Sequence, residues 1–232
     1  MLSFFDSTNT MVSLWGYQLS YIEAVAVLSS FACIWLATKE KVINFAFGLV
    51  CTSLYAVFFY QEHLYSSMTL NIVFFCFNIY GYFLWTRPKK ENENENNELK
   101  VRGTSIRLRT ILLGIIVIGA ATWGLAIMHL HKWMPSVFEQ ATRFPYIDSF
   151  VMVASIIAQL LMAQKKWENW VLWIVIDVVA VFLYAFAGYT FTAILYAALV
   201  VIAVKGLFDW RKSYSANSNG ENGNIKPKTI KP

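Results

Sequence analysis

The stretch Trp167-Glu-Asn-Trp170-Val-Leu-Trp173-Ile-Val-Ile-Asp177-Val-Val-Ala-Val-Phe-Leu-Tyr184 decides how the chain is read. It is apolar over about the length that crosses a bilayer, yet it carries a carboxylate near its middle. An unpaired Asp in hydrocarbon costs at least ~2.5–3.5 kcal/mol on insertion scales, so such residues usually face a cavity and mark function. Trp170, Trp173, Asp177 and Tyr184 are spaced i, i+3, i+7 and i+14. At the helical period they fall within roughly 60° of one another, on one face. Two indoles, a carboxylate and a phenol on one face suit a pocket for a flat, cationic ligand. The same stripe would also serve as a packing surface, with Asp177 satisfied by a neighbouring polar group. Packing alone, however, does not require the charge.

Composition agrees with a membrane protein. Of 232 residues, 57% are hydrophobic and only 14% charged, which is wrong for a soluble domain and right for a bundle of membrane helices. An aromatic share of 17% suits both interfacial belts and a stacking site. Cys33, Cys51 and Cys76 lie inside apolar runs without Cys-x-x-Cys spacing, which argues against a disulfide or metal framework. The net charge of +5 comes from basic residues that flank apolar segments, so membrane orientation explains it better than nucleic acid does. Met1 to Ser20 has no Lys or Arg and no small-residue cleavage site after a hydrophobic run, and does not read as a signal peptide. His63, His129 and His131 lie near or outside membrane ends. His-Glu-x-x-His, Gly-x-Ser-x-Gly and Walker patterns are lacking, and His129 and His131 do not share a helix face. The expectation is a protein that is not an enzyme and uses no cofactor or metal.

Seven apolar segments, each near the ~20 residues that span the hydrocarbon core, are expected at about 21–38, 42–60, 66–86, 109–130, 146–164, 169–187 and 190–210. Residues 1–20 form an N-terminal extracytoplasmic segment, 87–108 a polar linker containing Glu-Asn-Glu-Asn-Glu-Asn-Asn, and 211–232 a disordered tail. Lys39 and Lys41, Arg87 to Arg109, Lys165 and Lys166, and Arg211 onward follow segments one, three, five and seven. The other side holds only Lys132 and Arg143. That alternation places the N-terminus outside and the C-terminus in the cytoplasm. The chain also repeats at an offset of 125, which pairs Tyr21-Ile22-Glu23 with Tyr146-Ile147-Asp148, Asn44 with Asn169, Gly81 with Gly206 and Trp85 with Trp210. Two three-helix units, 21–86 and 146–210, joined by a linker helix at 109–130 would lie the same way up, related by an axis along the membrane normal.

Further candidates for the site are polar residues inside apolar segments. Asn71, Asn78 and Trp85 share a face of segment three. The two asparagines serve equally as helix–helix hydrogen bonders or as a wall facing Asp177. Gln159, Tyr196 and Asn44 complete the set. Trp15, Trp35 and Trp123 have no polar companions and read as belt or packing residues; Asp148 reads as a helix-start residue or a gate.

The runs Glu168-Asn169-Trp170-Val-Leu-Trp173-Ile-Val-Ile-Asp177-Val-Val and Gly188-Tyr189-Thr-Phe-Thr-Ala-Ile-Leu-Tyr196 resemble the Pnu family of bacterial vitamin transporters. So do Lys39-Glu40-Lys41 with Gly48-Leu49, His63-Leu64-Tyr65, and Asn78-Ile79-Tyr80-Gly81-Tyr82-Phe83-Leu84-Trp85. The likeness covers about residues 20–86 and 146–211. It implies a SWEET-like 3+1+3 fold in the bacterial inner membrane, facilitated diffusion of a vitamin, and a cytosolic kinase that traps the vitamin by phosphorylation. A homo-oligomer is compatible with it, with membrane lipid around the bundle. Members that carry nicotinamide riboside have asparagine where this chain has Cys51 and Asp177. Members regarded as thiamine transporters resemble it in Trp-x-x-x-Asp at Trp173 to Asp177 followed by Val-Val. Thiamine is therefore the expected substrate and nicotinamide riboside the alternative; both are cationic. A non-transporting membrane scaffold or receptor is the reading from a different class.

Overall fold

A computed structural model describes residues 5–14, 17–63, 65–93, 98–133, 144–188 and 190–223. Trp15 and the end of the tail, 224–232, lie outside them, as does the side chain of His131. Among the described residues, seven helices are long and apolar enough to cross a membrane. They are α1 (Tyr21–Thr38), α2 (Asn44–Gln61), α3 (Tyr65–Thr86), α4 (Ile106–Trp133), α5 (Pro145–Ala163), α6 (Glu168–Phe186) and α7 (Thr190–Gly223). The apolar runs set these spans. Local chemistry sets their ends: Ser20 caps α1 by accepting from the Glu23 amide at 3.3 Å, the Ser-x-x-Glu signature of a helix start. Pro145 opens α5, where its missing N–H is no loss.

Before α1, β1 (Thr10–Leu14) and β2 (Tyr17–Ser20) pair as an antiparallel hairpin. The residues ahead of it are fastened to the end of α2. Ser7 N donates to Gln61 Oε1 at 2.8 Å, and Gln61 Nε2 donates to the Phe5 carbonyl at 2.7 Å.

Consecutive helices pack against one another within 21–86 and within 106–210, and the two groups meet where α3 lies on α5 and α7 on α1. One core cluster sits at the end of the bundle where α1 turns into α2 and α5 into α6, the end reached by the α3–α4 linker. Phe45, Trp85, Trp170 and Trp210 are buried there with Ala37, Met162 and Ala203. Indole hydrogen bonds tie it across the groups: Trp85 Nε1 donates to Ala163 O at 3.0 Å and Trp210 Nε1 to Ala37 O at 2.9 Å. Two glycines permit the close approach. A Cβ at Gly81 would lie 2.5 Å from the Phe45 ring, and one at Gly206 would lie 2.6 Å from the Trp170 ring.

Two expectations are corrected. The linker is not polar and solvated throughout: Leu99 and Val101 are 1% and 2% exposed and belong to this core. Polar neighbours hide the apolar pair in the sequence, and it is backbone pairing with the α5–α6 turn that brings it in, through Arg102 N to Lys165 O and Trp167 N to Arg102 O, both 3.1 Å. Nor does order stop at residue 210. α7 runs on to Gly223, and Asn217 Nδ2 reaches the Val101 carbonyl at 3.4 Å, so the linker gives the extended helix a surface to lie on.

Candidate functional site

α6 sorts its side chains by face. Val171, Val175, Val178 and Phe182 are exposed on one side, where the bundle would meet lipid. Trp170, Trp173, Asp177 and Tyr184 are turned inward, buried or half-buried, as the stripe requires. Asp177 lies halfway along the helix and is 5% exposed. Among the described residues its carboxylate accepts no hydrogen bond and has no ion-pair partner. A buried carboxylate is normally paired. Here the protein leaves its lone pairs to something else.

Aromatic side chains of α7 and α3 meet this face of α6. Tyr196 of α7 stacks on Tyr184, with ring centroids 5.3 Å apart and an interplanar angle of 11°. Tyr196 lies within electrostatic range of Tyr184, Asp177 and Tyr55. On the α3 side Trp173 meets Phe74 edge-on at 6.3 Å. Asn78, one turn along from Phe74, is buried against Gly48 of α2, where any Cβ would collide with its amide. Rising ~1.5 Å per residue, α6 carries Tyr184 ~10 Å beyond Asp177, away from the linker, and Trp170 ~10 Å toward it. Tyrosines thus close one side of Asp177, and the Trp85–Trp170–Trp210 core fills the other.

The remaining candidates separate. Trp170 is packed against Gly206 and stands edge-on to Trp210, with centroids 5.6 Å apart, so its ring is occupied by the core rather than open to a ligand. Asn44 donates to Lys41 O at 2.6 Å and holds the α1–α2 turn. Asn71 donates to Ser67 O of its own helix at 2.9 Å. Gln159 is half-buried on α5. Trp35 and Trp123 are exposed, as belt residues would be, and Asp148 falls in the first turn of α5.

Sequence reasoning missed the α2 wall. Tyr55 and Cys51 of α2 lie near Ser30 of α1. Thr52, buried, donates to Gly48 O at 2.7 Å. The signal was present, because the 125-residue offset pairs Thr52 with Asp177. Glu23 lies in electrostatic range of Tyr55, and Asp148 in range of Tyr184, so each tyrosine has a carboxylate toward the far end of the bundle.

The linker end is electrostatically dense. Glu168 Oε1 accepts from Thr104 N at 2.7 Å, Thr104 Oγ1 at 2.9 Å and Arg109 Nη2 at 2.7 Å. The guanidinium groups of Arg109 and Arg211 lie 5.3 and 4.9 Å from the Trp167 ring. Lys166 donates to Gly103 O at 3.0 Å; burial and the nearby Arg102 lower its pKa, and Glu168 offsets part of that.

An acceptor-only carboxylate without a protein donor, walled by indole and phenol faces, is suited to a flat ring that bears positive charge or an N–H donor. Similarity to known proteins narrows this. The family described as nicotinamide mononucleotide transporter matches residues 20–212. The nicotinamide riboside transporter PnuC of Escherichia coli (strain K12) is 35% identical over 91% of this chain and 95% of that protein. The riboflavin/roseoflavin transporter RibM of Streptomyces davaonensis is 27% identical over 72% of each chain. The crystal structure of the vitamin B3 transporter PnuC superposes with a TM-score of 0.63 at 25% identity, covering 84% of this chain and 83% of that one. With the family matched across all seven apolar helices and a relative above a third identical along nearly the whole length, the chain belongs to the nicotinamide mononucleotide transporter family and is a multi-pass membrane transporter.

Proposed function

We propose that this protein takes up nicotinamide riboside across the bacterial inner membrane by facilitated diffusion, with trapping by a cytosolic kinase. The observation that carries the reading is Asp177, a mid-span carboxylate with no partner among the described residues, set between aromatic walls. It suits a positively charged heteroaromatic ring, and relatives named as nicotinamide riboside transporters point to one such ring. That choice corrects the preference for thiamine drawn from the Trp173-to-Asp177 motif. Thiamine stays the second reading for one reason: an ionised Asp only accepts, which fits the thiamine aminopyrimidine better than a carboxamide that both donates and accepts.

The substrate contacts in this reading are Asp177, Trp173, Tyr184, Tyr196 and Asn78, with Gln159 on the α5 side and Tyr55 on the α2 side. Trp170, Asn44 and Asn71 support the walls from behind. The two three-helix units are parallel repeats of SWEET-like arrangement. Matching turns support this: Glu40 and Lys165, one offset apart, have φ of 56° and 55°, and His63 and Gly188 both have positive φ. The basic-residue alternation supports an N-terminus outside and the linker end in the cytoplasm. One membrane-depth carboxylate without a His or Lys partner is a poor ion relay, so the substrate gradient alone drives transport.

Uptake of labelled nicotinamide riboside into vesicles at clamped membrane potential, with unlabelled thiamine as competitor, tests the proposal. The clamp matters because a potential favours entry of one charge by ~2.3 kcal/mol per 100 mV. Saturable uptake that thiamine displaces only weakly is the expected result. Displacement by thiamine at lower concentration than by nicotinamide riboside itself would establish the second reading. Absence of saturable uptake of either vitamin would point to the scaffold class.

A further inference from the structure

Lys165 is the most deeply buried charge in the described structure, 1% exposed, at the linker end of the bundle. A lysine is almost never this buried unless its charge is met. Its ammonium has three partners: the Leu99 carbonyl at 2.7 Å, Glu40 Oε2 at 3.0 Å, and the Trp85 ring with its centroid at 4.7 Å. Lys165 belongs to the α5–α6 turn; none of its partners does. One side chain therefore ties the second unit to the first unit and to the linker at once.

The position of the pair is informative. Glu40 and Lys165 are offset counterparts, with the same left-handed backbone and the same turn hydrogen bonds, Glu40 N to Ala37 O at 3.0 Å and Lys165 N to Met162 O at 2.9 Å. When a residue touches its own counterpart, the axis relating the two units passes between them. A solute that leaves between the units on this side must pass the same place. Just inside lie the Trp85 and Trp210 rings, 5.8 Å apart, each bonded to the opposite unit. Just outside lies the linker. Its Leu99 and Val101 are buried, Lys166 Nζ holds Gly103 O, and Glu168 Oε1 holds Thr104.

We propose that the Glu40–Lys165 pair is the cytoplasmic gate of the transport path and that residues 99–104 are the strap that keeps it shut. The inference rests on the transport and parallel-repeat readings above. One ammonium binds both Glu40 and the Leu99 carbonyl, so the pair and the strap are coupled through the same group. Exit of substrate to the cytoplasm is therefore set by a segment that touches no substrate.

Cys51, on the α2 wall beside the site, is the reporter. In a Cys33→Ser, Cys76→Ser background, inverted membrane vesicles present the cytoplasmic face to a membrane-impermeant thiol reagent. Glu40→Gln breaks the pair with little change in size; Val101→Asp lifts the strap without touching the pair. Each should label Cys51 roughly tenfold faster than the parent or more, since an open state held at ~0.1–10% of the population has that much room to rise. Gly124→Ala is the control for general loosening, because its Cβ would meet the Tyr146 ring at 2.5 Å at the far end of the bundle. It should leave the labelling rate unchanged. Parental labelling rates in folded Glu40→Gln and Val101→Asp, or an equal rise in Gly124→Ala, would overturn the proposal. Folding is checked by thermal unfolding of each purified variant. Labelling needs no substrate, so a failure of nicotinamide riboside uptake would count against the function while leaving the gate result to stand by itself.

Discussion

Replacing Asp177 by Asn separates the roles that this residue could hold. The carboxylate is 5% exposed and no described residue donates to it, so the change strands no protein donor. A neutral amide is also easier to bury than a carboxylate. Thermal stability in detergent should therefore hold or rise. Binding should respond according to the ligand. A hydrogen bond to a charged group contributes ~1.5–3 kcal/mol, which is roughly 10- to 150-fold in affinity. Thiamine, which needs an acceptor, should lose about that much. Nicotinamide riboside loses attraction between the ring charge and the carboxylate but gains an amide that both donates and accepts to its carboxamide, so its affinity should fall less than tenfold or improve. Titration calorimetry with both vitamins and thermal unfolding, on one preparation of each protein, measures all three quantities. A variant that unfolds earlier yet binds both vitamins as before would show that Asp177 is structural, and the reasoning about the site would fail.

Four further expectations follow from the packing and the charge pattern. Gly206→Ala and Gly81→Ala place a Cβ 2.6 and 2.5 Å from the Trp170 and Phe45 rings, and each should lower the detergent unfolding temperature by an amount equivalent to ~1–3 kcal/mol. Trp85→Phe and Trp210→Phe each strand a buried carbonyl that the indole now reaches, at Ala163 and Ala37, and should destabilise by a similar ~1–3 kcal/mol in the same unfolding assay. A reporter active only in the cytoplasm should work when fused after Lys212 or inserted near Asn96 and fail near Glu62 or Ser136; the reverse pattern would invert the orientation. An imposed proton or sodium gradient at clamped potential should not steepen nicotinamide riboside accumulation in vesicles, and steeper accumulation would reveal ion coupling.

The sequence by itself determined the seven spans, because hydrocarbon admits only backbone that satisfies its own hydrogen bonds, and a ~20-residue apolar run has one way to do that. It also determined the inward face of α6, since a 3.6-residue period places Trp170, Trp173, Asp177 and Tyr184 together whatever surrounds them. It could not say which of these a ligand would meet. That depends on neighbours far along the chain: Gly206 and Trp210 occupy Trp170, while Tyr196 comes to Tyr184 beside an Asp177 that no described donor reaches. The same limit hid the role of the linker. Leu99 and Val101 are two apolar residues in a polar run, with no periodicity to mark them, and they are buried because the α5–α6 turn, some sixty-five residues away, pairs with the linker backbone and Lys165 binds the Leu99 carbonyl. Periodicity is a property of one segment and can be read along it. Which segments share an ammonium or close over a carboxylate is fixed only when the helices are brought together.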